Sequence, residues 1–365
     1  MGRIPRPIAA LILGLGLLLV ALARVRGSAA REQPPAVSSS SAPVAAGLGP
    51  FVSAAGCAAE VARGARLARP AGSARFASWN LHWFPDGKPG TSESGADLGW
   101  LSCVLSWLDA DVVALQEMKR TPRAVIAAEQ LVSELNRLSG ARYRLELDDC
   151  GSRVPQHVGL LWNTARVKAS DVRVLGALNP SGEACGNQLR PGLAARLRFP
   201  GGLDLEVVSA HFKSMADPRS LELRRASFAA LGPVLAETAR RSSDSDLLLL
   251  GDLNTMGCDS CAPLVSAQEE LAAAERTLAA WALRFVPADG GGSHVHDGHA
   301  TLLDHAVAAT AMRELAGSAR TRVVGPCAEA ALASSSSARR AAKKARKQLS
   351  DHCPIVLDLQ DADLD

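Results

Sequence analysis

Short apolar runs recur along the chain from Arg75 onward, separated by stretches whose apolar residues return every three to four positions. A layered α/β or α+β domain requires that alternation, with buried strands supplying the runs and helices the amphipathic intervals. Strands are predicted at 75–81, 110–117, 142–147, 156–162, 193–199, 204–212, 245–252, 301–309 and 352–359. Helices are predicted at 97–108, 219–241 and 263–283, and most sharply from Thr121 to Gly140. There Thr121-Pro122 sets an N-cap before a proline at the first helical position, and Gly140 ends the helix.

Before Arg75 the pattern differs. Ile8 to Ala23 is apolar, Arg3 and Arg6 precede it, and Gly27-Ser28-Ala29-Ala30 offers small residues to a signal peptidase. Residues 1–30 therefore read as an export signal, which makes the expected location secreted or periplasmic. A retained membrane anchor is the alternative. The run falls short of the roughly 20 apolar residues a span needs, but Arg24 and Arg26 directly after it are unusual in a cleavage region. Residues 31–72, rich in Ala, Ser, Pro and Gly, read as a tether with little core of its own, with Cys57 available to pin part of it to the body. The main domain is expected over 73–361.

With 365 residues, 47% of them hydrophobic, the chain can bury a sizeable core, which excludes disorder throughout. A formal charge of +3, from 40 basic and 37 acidic residues, is too small for a surface built everywhere to neutralise nucleic acid. Any electrostatic preference must be local. Arg339, Arg340, Lys343, Lys344, Arg346 and Lys347 form one such locality, predicted as a solvated loop that delivers Ser350-Asp351-His352. Eight cysteines, an even number, suit an exported chain with structural disulfides. Two pairs stand out: Cys258 with Cys261, and Cys150 with Cys185. The Cys258–Cys261 spacing also fits zinc or redox chemistry, although no second such pair follows at zinc-ribbon spacing.

Polar residues cluster where predicted strands end, the positions at which active-site groups are often presented. Asn80, Glu117, His211, Asp252 with Asn254, Asp304 and Asp351-His352 all sit at such points. Taken singly, each has an ordinary explanation as a turn former, a cap or a satisfied core histidine. Taken in order, Trp79-Asn80, Leu115-Gln116-Glu117, His211-Phe212-Lys213-Ser214, Gly251-Asp252-Leu253-Asn254, Leu303-Asp304-His305 and Ser350-Asp351-His352-Cys353-Pro354 resemble the endonuclease/exonuclease/phosphatase superfamily, which includes deoxyribonuclease I-like nucleases. The resemblance covers residues from about 74 to 360.

That resemblance implies a four-layered α/β sandwich, with two central mixed sheets packed face to face and helices outside. It also implies phosphoester hydrolysis with Mg²⁺, for which Mn²⁺ can substitute. Glu117 is the implied main metal ligand, helped by Asn80 and Asp351, and hard oxygen donors suit such an ion. Asp304 is the implied partner of His352, Asp252 orients or deprotonates the attacking water, and Asn254 donates to phosphoryl oxygens. His211 contacts the phosphate or protonates the leaving oxygen. Lys213, two residues on, is expected on the same strand face, adding positive charge. Arg190 reads either as a phosphate-binding group or as a surface arginine bracing the Cys150–Cys185 insertion.

The histidines His294, His296 and His299 invite a zinc reading, but Gly290 to Gly292 favours a flexible loop entering the Asp304 strand. His82 and His305 receive no role. The function expected first is an exported monomeric nuclease with nucleic acid as substrate, DNA and by extension RNA, and no stable membrane association once the signal is removed. The alternatives are a phosphatase or sphingomyelinase-type phospholipase C of the same superfamily, and an inactive binding module. Lipid attack usually needs an exposed apolar hairpin, and none is evident in the sequence.

Overall fold

The structure, a computed structural model, describes residues 49–241, 246–296, 299–315, 317–327 and 336–364. Strand β1 (Ser73–Phe84) and strand β2 (Val112–Met118) lie in the middle of one sheet and are buried on both faces. Double burial explains why these segments read as unbroken apolar runs. Along β2 the side chains alternate between two cores: Val112 and Ala114 join one cluster, Val113 and Leu115 the other.

The remaining strands of this sheet are β3 (Tyr143–Leu147), β4 (His157–Asn163), β10 (Ala288–Asp289), β14 (Thr321–Val323) and β15 (Ile355–Gln360). Their order is β10-β14-β15-β1-β2-β4-β3. The second sheet runs β5 (Lys168–Leu175), β6 (Gly192–Arg198), β7 (Asp204–His211), β8 (Leu247–Asp252), β13 (Asp304–Ala309), β9 (Leu283–Phe285). Both sheets are mixed: β1 is parallel to β2 and antiparallel to β15, while β8 is parallel to β7 and antiparallel to β13. Between the sheets, Phe76, Ala114, Leu160 and Trp162 meet Ala195, Leu197, Val207 and Leu248 in one cluster.

Helices α4 (Pro218–Arg241) and α5 (Ala267–Ala279) cover the second sheet through Phe228, Leu231, Ala274 and Leu278. Helices α2 (Leu98–Leu108) and α3 (Pro122–Ser139) cover the first, packing Leu101, Leu105, Leu131 and Leu135 against Trp79 and Leu115. The result is the expected four-layered sandwich. The α3 boundaries follow from its caps, with the Thr121 hydroxyl accepting from Ala124 N and Gly140 in the left-handed region at φ 68°.

Several expectations need correction. The tether predicted through residue 72 gives way earlier: helix α1 (Ala54–Ala62) buries Cys57 and Val61 in the helical layer, and Cys57 is bonded to Cys103 of α2. Residues 67 and 68 are fixed too, since buried Arg75 donates to the carbonyls of Leu67, Ala68 and Leu108 and pairs with Asp358 at 2.7 Å. Alanine-rich sequence without periodic large residues hides such a helix. The predicted export signal and the start of the tether lie outside the described residues.

The basic run is a helix, α6 (Ser336–Gln348), and not a loop. Ala342 and Ala345, with Leu349 just beyond, are buried, so three small or apolar residues fix its inner face. The His294–His299 loop is likewise two short antiparallel strands, β11 (His294–His296) and β12 (His299–Thr301). Gly292 is needed here for closeness: a Cβ on it would stand 2.7 Å from Thr301 N. All eight cysteines are paired, as Cys57–Cys103, Cys150–Cys185, Cys258–Cys261 and Cys327–Cys353, which leaves Cys258 and Cys261 no thiolate to offer zinc.

The Cys57–Cys103 bond spans 46 residues. On chain-entropy grounds a closed loop of that size stabilises by about 4 kcal/mol. The Cys57→Ser/Cys103→Ser protein should unfold at lower urea concentration with a loss of that order, and an unchanged midpoint would show that α1 is held by packing alone.

Candidate active site

Strand register assembles the site. In the second sheet His211 pairs with Asp252 across the parallel β7–β8 ladder, and Asp304 pairs with Asp252 across the antiparallel β8–β13 ladder. Parallel neighbours end together and an antiparallel neighbour begins there, so three polar residues from distant sequence share one edge. The first sheet does the same. Asn80 pairs with Gln116 beside Glu117, and β15 runs antiparallel to β1, bringing Ser350 to Asn80, whose carbonyl accepts from the Ser350 hydroxyl at 2.7 Å. The His352 carbonyl accepts from Trp79 Nε1 at 3.0 Å.

Packing the sheets face to face joins these two edges. The Asn80 amide Nδ2 donates to Asp252 Oδ2 at 2.9 Å. The same oxygen lies 3.5 Å from His211 Nε2 and 3.7 Å from His352 Nε2. Behind it, His352 Nδ1 is hydrogen-bonded to Asp304 Oδ2 at 2.8 Å. Glu117 Oε1 lies 3.8 Å from His211 Nε2, and Glu117 Oε2 accepts from Trp83 N at 3.0 Å. Asn254 N donates to Asp252 Oδ1 and its amide donates to the Phe212 carbonyl.

Burial and charge set the protonation states. Burial pushes the Asp252 carboxyl up to about 7; Asp304 and Glu117 add to this, against the opposing pull of the His352 cation and the Asn80 hydrogen bond. Burial opposes the His352 cation, but Asp304 and then Asp252 outweigh it and hold that imidazole well above its usual range. His211 goes the other way: burial, reinforced by Arg190, His352 and Lys213, keeps it well below its usual range. The site thus holds one cationic and one neutral imidazole on either side of a carboxyl that titrates near neutrality.

Arg190 is not a surface brace. It is buried, donates to the Phe212 carbonyl at 2.9 Å, and its charge acts on His211. The strand-face argument for Lys213 fails because β7 ends at His211. Its ammonium donates to the Ser214 carbonyl, although its charge also reaches His211.

The three implied metal ligands gather at the turn His82-Trp83. Asn80 Oδ1 accepts from His82 N, Glu117 accepts from Trp83 N, and Asp351 Oδ1 lies 3.0 Å from His82 Nδ1. Two carboxylates and an amide carbonyl are the hard oxygen donors that a divalent cation takes, so the donor set fits one. Burial would lower the pKa of His82, but Asp351, then Glu93 and Glu117, outweigh it and raise it to about 9. A histidine charged by its neighbours marks the spot as one that attracts cations.

The sequence reading missed Ser293. Its hydroxyl donates to Asp304 Oδ2 at 2.6 Å and accepts from Leu303 N and Asp304 N. No motif includes this serine, and the glycines before it disguised an ordered hairpin as a flexible loop.

The profile of the endonuclease/exonuclease/phosphatase family matches residues 77–352. The chain belongs to that family. Enzymes of the endonuclease/exonuclease/phosphatase family hydrolyse phosphoesters, typically with divalent metals. Among solved structures, the endonuclease/exonuclease/phosphatase from Bacteroides vulgatus is 16% identical at TM-score 0.50, covering 79% of this chain and 98% of that one. A family protein from Bacteroides thetaiotaomicron is 14% identical at TM-score 0.51, covering 79% and 94%. D. rerio TDP2 complexed with a single-strand DNA product is 17% identical at TM-score 0.50, covering 79% and 98%. At these identities the likeness shows the fold. No curated protein matches the chain.

Ser293 positions Asp304 through Oδ2, the oxygen that also meets His352 Nδ1. Ser293→Ala should lower kcat on a phosphoester by roughly ten-fold with little change in KM, as loss of a hydrogen bond that supports a carboxylate–imidazole pair does. Full activity in that variant would mean that His352 alone holds Asp304 in place.

Proposed function

We propose that this chain is an exported, Mg²⁺-dependent phosphodiesterase that hydrolyses nucleic acid, acting as a monomer with DNA as the first substrate. The observation that carries the chemistry is the Asp304–His352 pair directed at Asp252, in one crevice with the oxygen donors Asn80, Glu117 and Asp351. A cation bound there would offset charge that grows on the phosphoryl oxygens as water attacks in line.

The protein's own groups then divide the work. Asp252, with a carboxyl poised near neutrality, orients the water and accepts its proton. His352, held cationic by Asp304, donates from Nε2 to a phosphoryl oxygen. Asn254 and the charges of Arg190 and Lys213 add to that oxygen-binding face. His211, kept neutral, donates a hydrogen bond to the phosphate or the leaving oxygen, and that oxygen takes its proton from solvent, to which Asp252 returns the one it accepted.

Helix α6 supports a polyanionic substrate. At about 100° per residue, Arg339, Arg340, Lys343, Lys344 and Lys347 fall on one arc away from the buried Ala342 and Ala345, and half-buried Arg346 flanks it. Over its last turns this charged ridge leads straight into Asp351-His352. Four disulfides support maturation in an oxidising compartment, in keeping with the export signal read at residues 1–30. Among the described residues no helix is long and apolar enough to cross a membrane.

Purified oxidised protein should nick or degrade plasmid DNA with Mg²⁺ and stop when a chelator is added. Glu117→Ala and His352→Ala should each cost about 100-fold or more in rate while leaving the unfolding midpoint near that of wild type. Plasmid that survives while sphingomyelin or an inositol phosphate is hydrolysed would transfer the chemistry to a different substrate. Neutralising Arg339, Arg340, Lys343 and Lys344 to Gln should flatten the dependence of DNA affinity on salt, by about 0.9 in log–log slope for each phosphate that α6 no longer neutralises. An unchanged slope returns α6 to the status of a solvated face.

A further inference from the structure

The imidazole of His294 has no part in the chemistry above, yet it faces the same crevice as a ligand set would. Its Nε2 lies 3.7 Å from Asp351 Oδ2, and its ring centroid is 4.6 Å from that of His352. The backbone holds it there. Val295 N donates to the Asp351 carbonyl, Cys353 N donates to the Ser293 carbonyl, and Cys353 is itself tied to Cys327. One ligand atom from each of His294, Asp351 and His352 can be taken so that all three lie within 4.8 Å of one another.

Tetrahedral zinc, with bonds of about 2.0 to 2.1 Å, sets its donors roughly 3.3 Å apart. The His294–Asp351 separation is already close to that, so small side-chain rotations would complete the set. His352 meets a further requirement. A metal-bound imidazole usually gives its other N–H to a carboxylate, which fixes the tautomer, and His352 Nδ1 already does so with Asp304.

We propose that His294, Asp351 and His352 form a zinc site, with a fourth position open to water. It shares only Asp351 with the oxygen donors at the His82-Trp83 turn, through the opposite carboxylate oxygen: Oδ2 faces His294 and Oδ1 faces His82. Two imidazoles and one carboxylate favour zinc over magnesium, which takes oxygen ligands in octahedral geometry. Occupation takes His352 Nε2 in place of its proton, which is released to solvent, so zinc inhibits hydrolysis. That inhibitory consequence rests on the function proposed above; zinc binding itself does not.

The test uses chelator-stripped, oxidised protein with zinc titrated against a chromophoric chelator in excess Mg²⁺. Wild type should take up one equivalent, with affinity about ten-fold or more weaker in both His294→Ala and His294→Gln; near-ultraviolet circular dichroism checks folding. In parallel, with bis-(p-nitrophenyl) phosphate as substrate, the zinc concentration for half-inhibition should rise by the same factor, each protein being compared with its own zinc-free rate. Equal zinc affinity in wild type and both variants overturns the site. So does loss of zinc in Glu117→Ala with the His294 variants unaffected, which would seat the ion among the oxygen donors. His294-dependent zinc uptake without hydrolysis of any phosphodiester would remove the proposed function and leave the site standing, whereas hydrolysis without the zinc equivalent would do the reverse.

Discussion

Everything at the site depends on keeping the Asp252 carboxyl buried between two sheets. An isolated carboxylate is costly to bury, so it must be surrounded by donors or hold its proton. Here a single oxygen, Oδ2, gathers an amide from the facing sheet and two imidazoles, 172 residues separating Asn80 from its partner. That convergence exists only if both sheets keep their register, because a slip of one residue turns Asp252 to the opposite face. Fold stability and site geometry are therefore one constraint here.

Much of this was legible in the sequence for a physical reason. Strands buried on both faces, such as β1, β2 and β8, carry continuous apolar runs, and the polar residue that ends each run stands out against them. The four-layer architecture and the grouping of Asn80, Glu117, His211, Asp252, Asp304 and His352 follow from those endings and their family-like order. Edge strands are harder to see. β5 alternates weakly because much of it is exposed, and β9, β10 and β14 are two or three residues long.

What escaped the sequence was set by contacts that no local pattern records. Cys57 was expected to pin this stretch, but the helix α1 it pins and the packing of Phe51 edge-on to Trp79 and Trp107 just before it were not. Ser293 matters because a hairpin folds it under Asp304, and His82 because a left-handed turn with φ 46° aims it at Asp351. Arg190 shows the limit most plainly. Its sequence left a phosphate-binding and a surface role open, whereas the fold buries it where its charge reinforces what burial does to the His211 imidazole.

The Cys327–Cys353 bond closes a covalent ring of chain around α6, with its knot one residue past His352. A ring closed there separates two kinds of evolutionary change. Residues on the outer surface of α6 can be exchanged, and the neighbouring chain lengthened, at a modest entropic penalty, while the histidine's footing on Trp79, Ser350 and Asp304 is inherited intact. The charged surface of α6 can drift independently of the site it leads into.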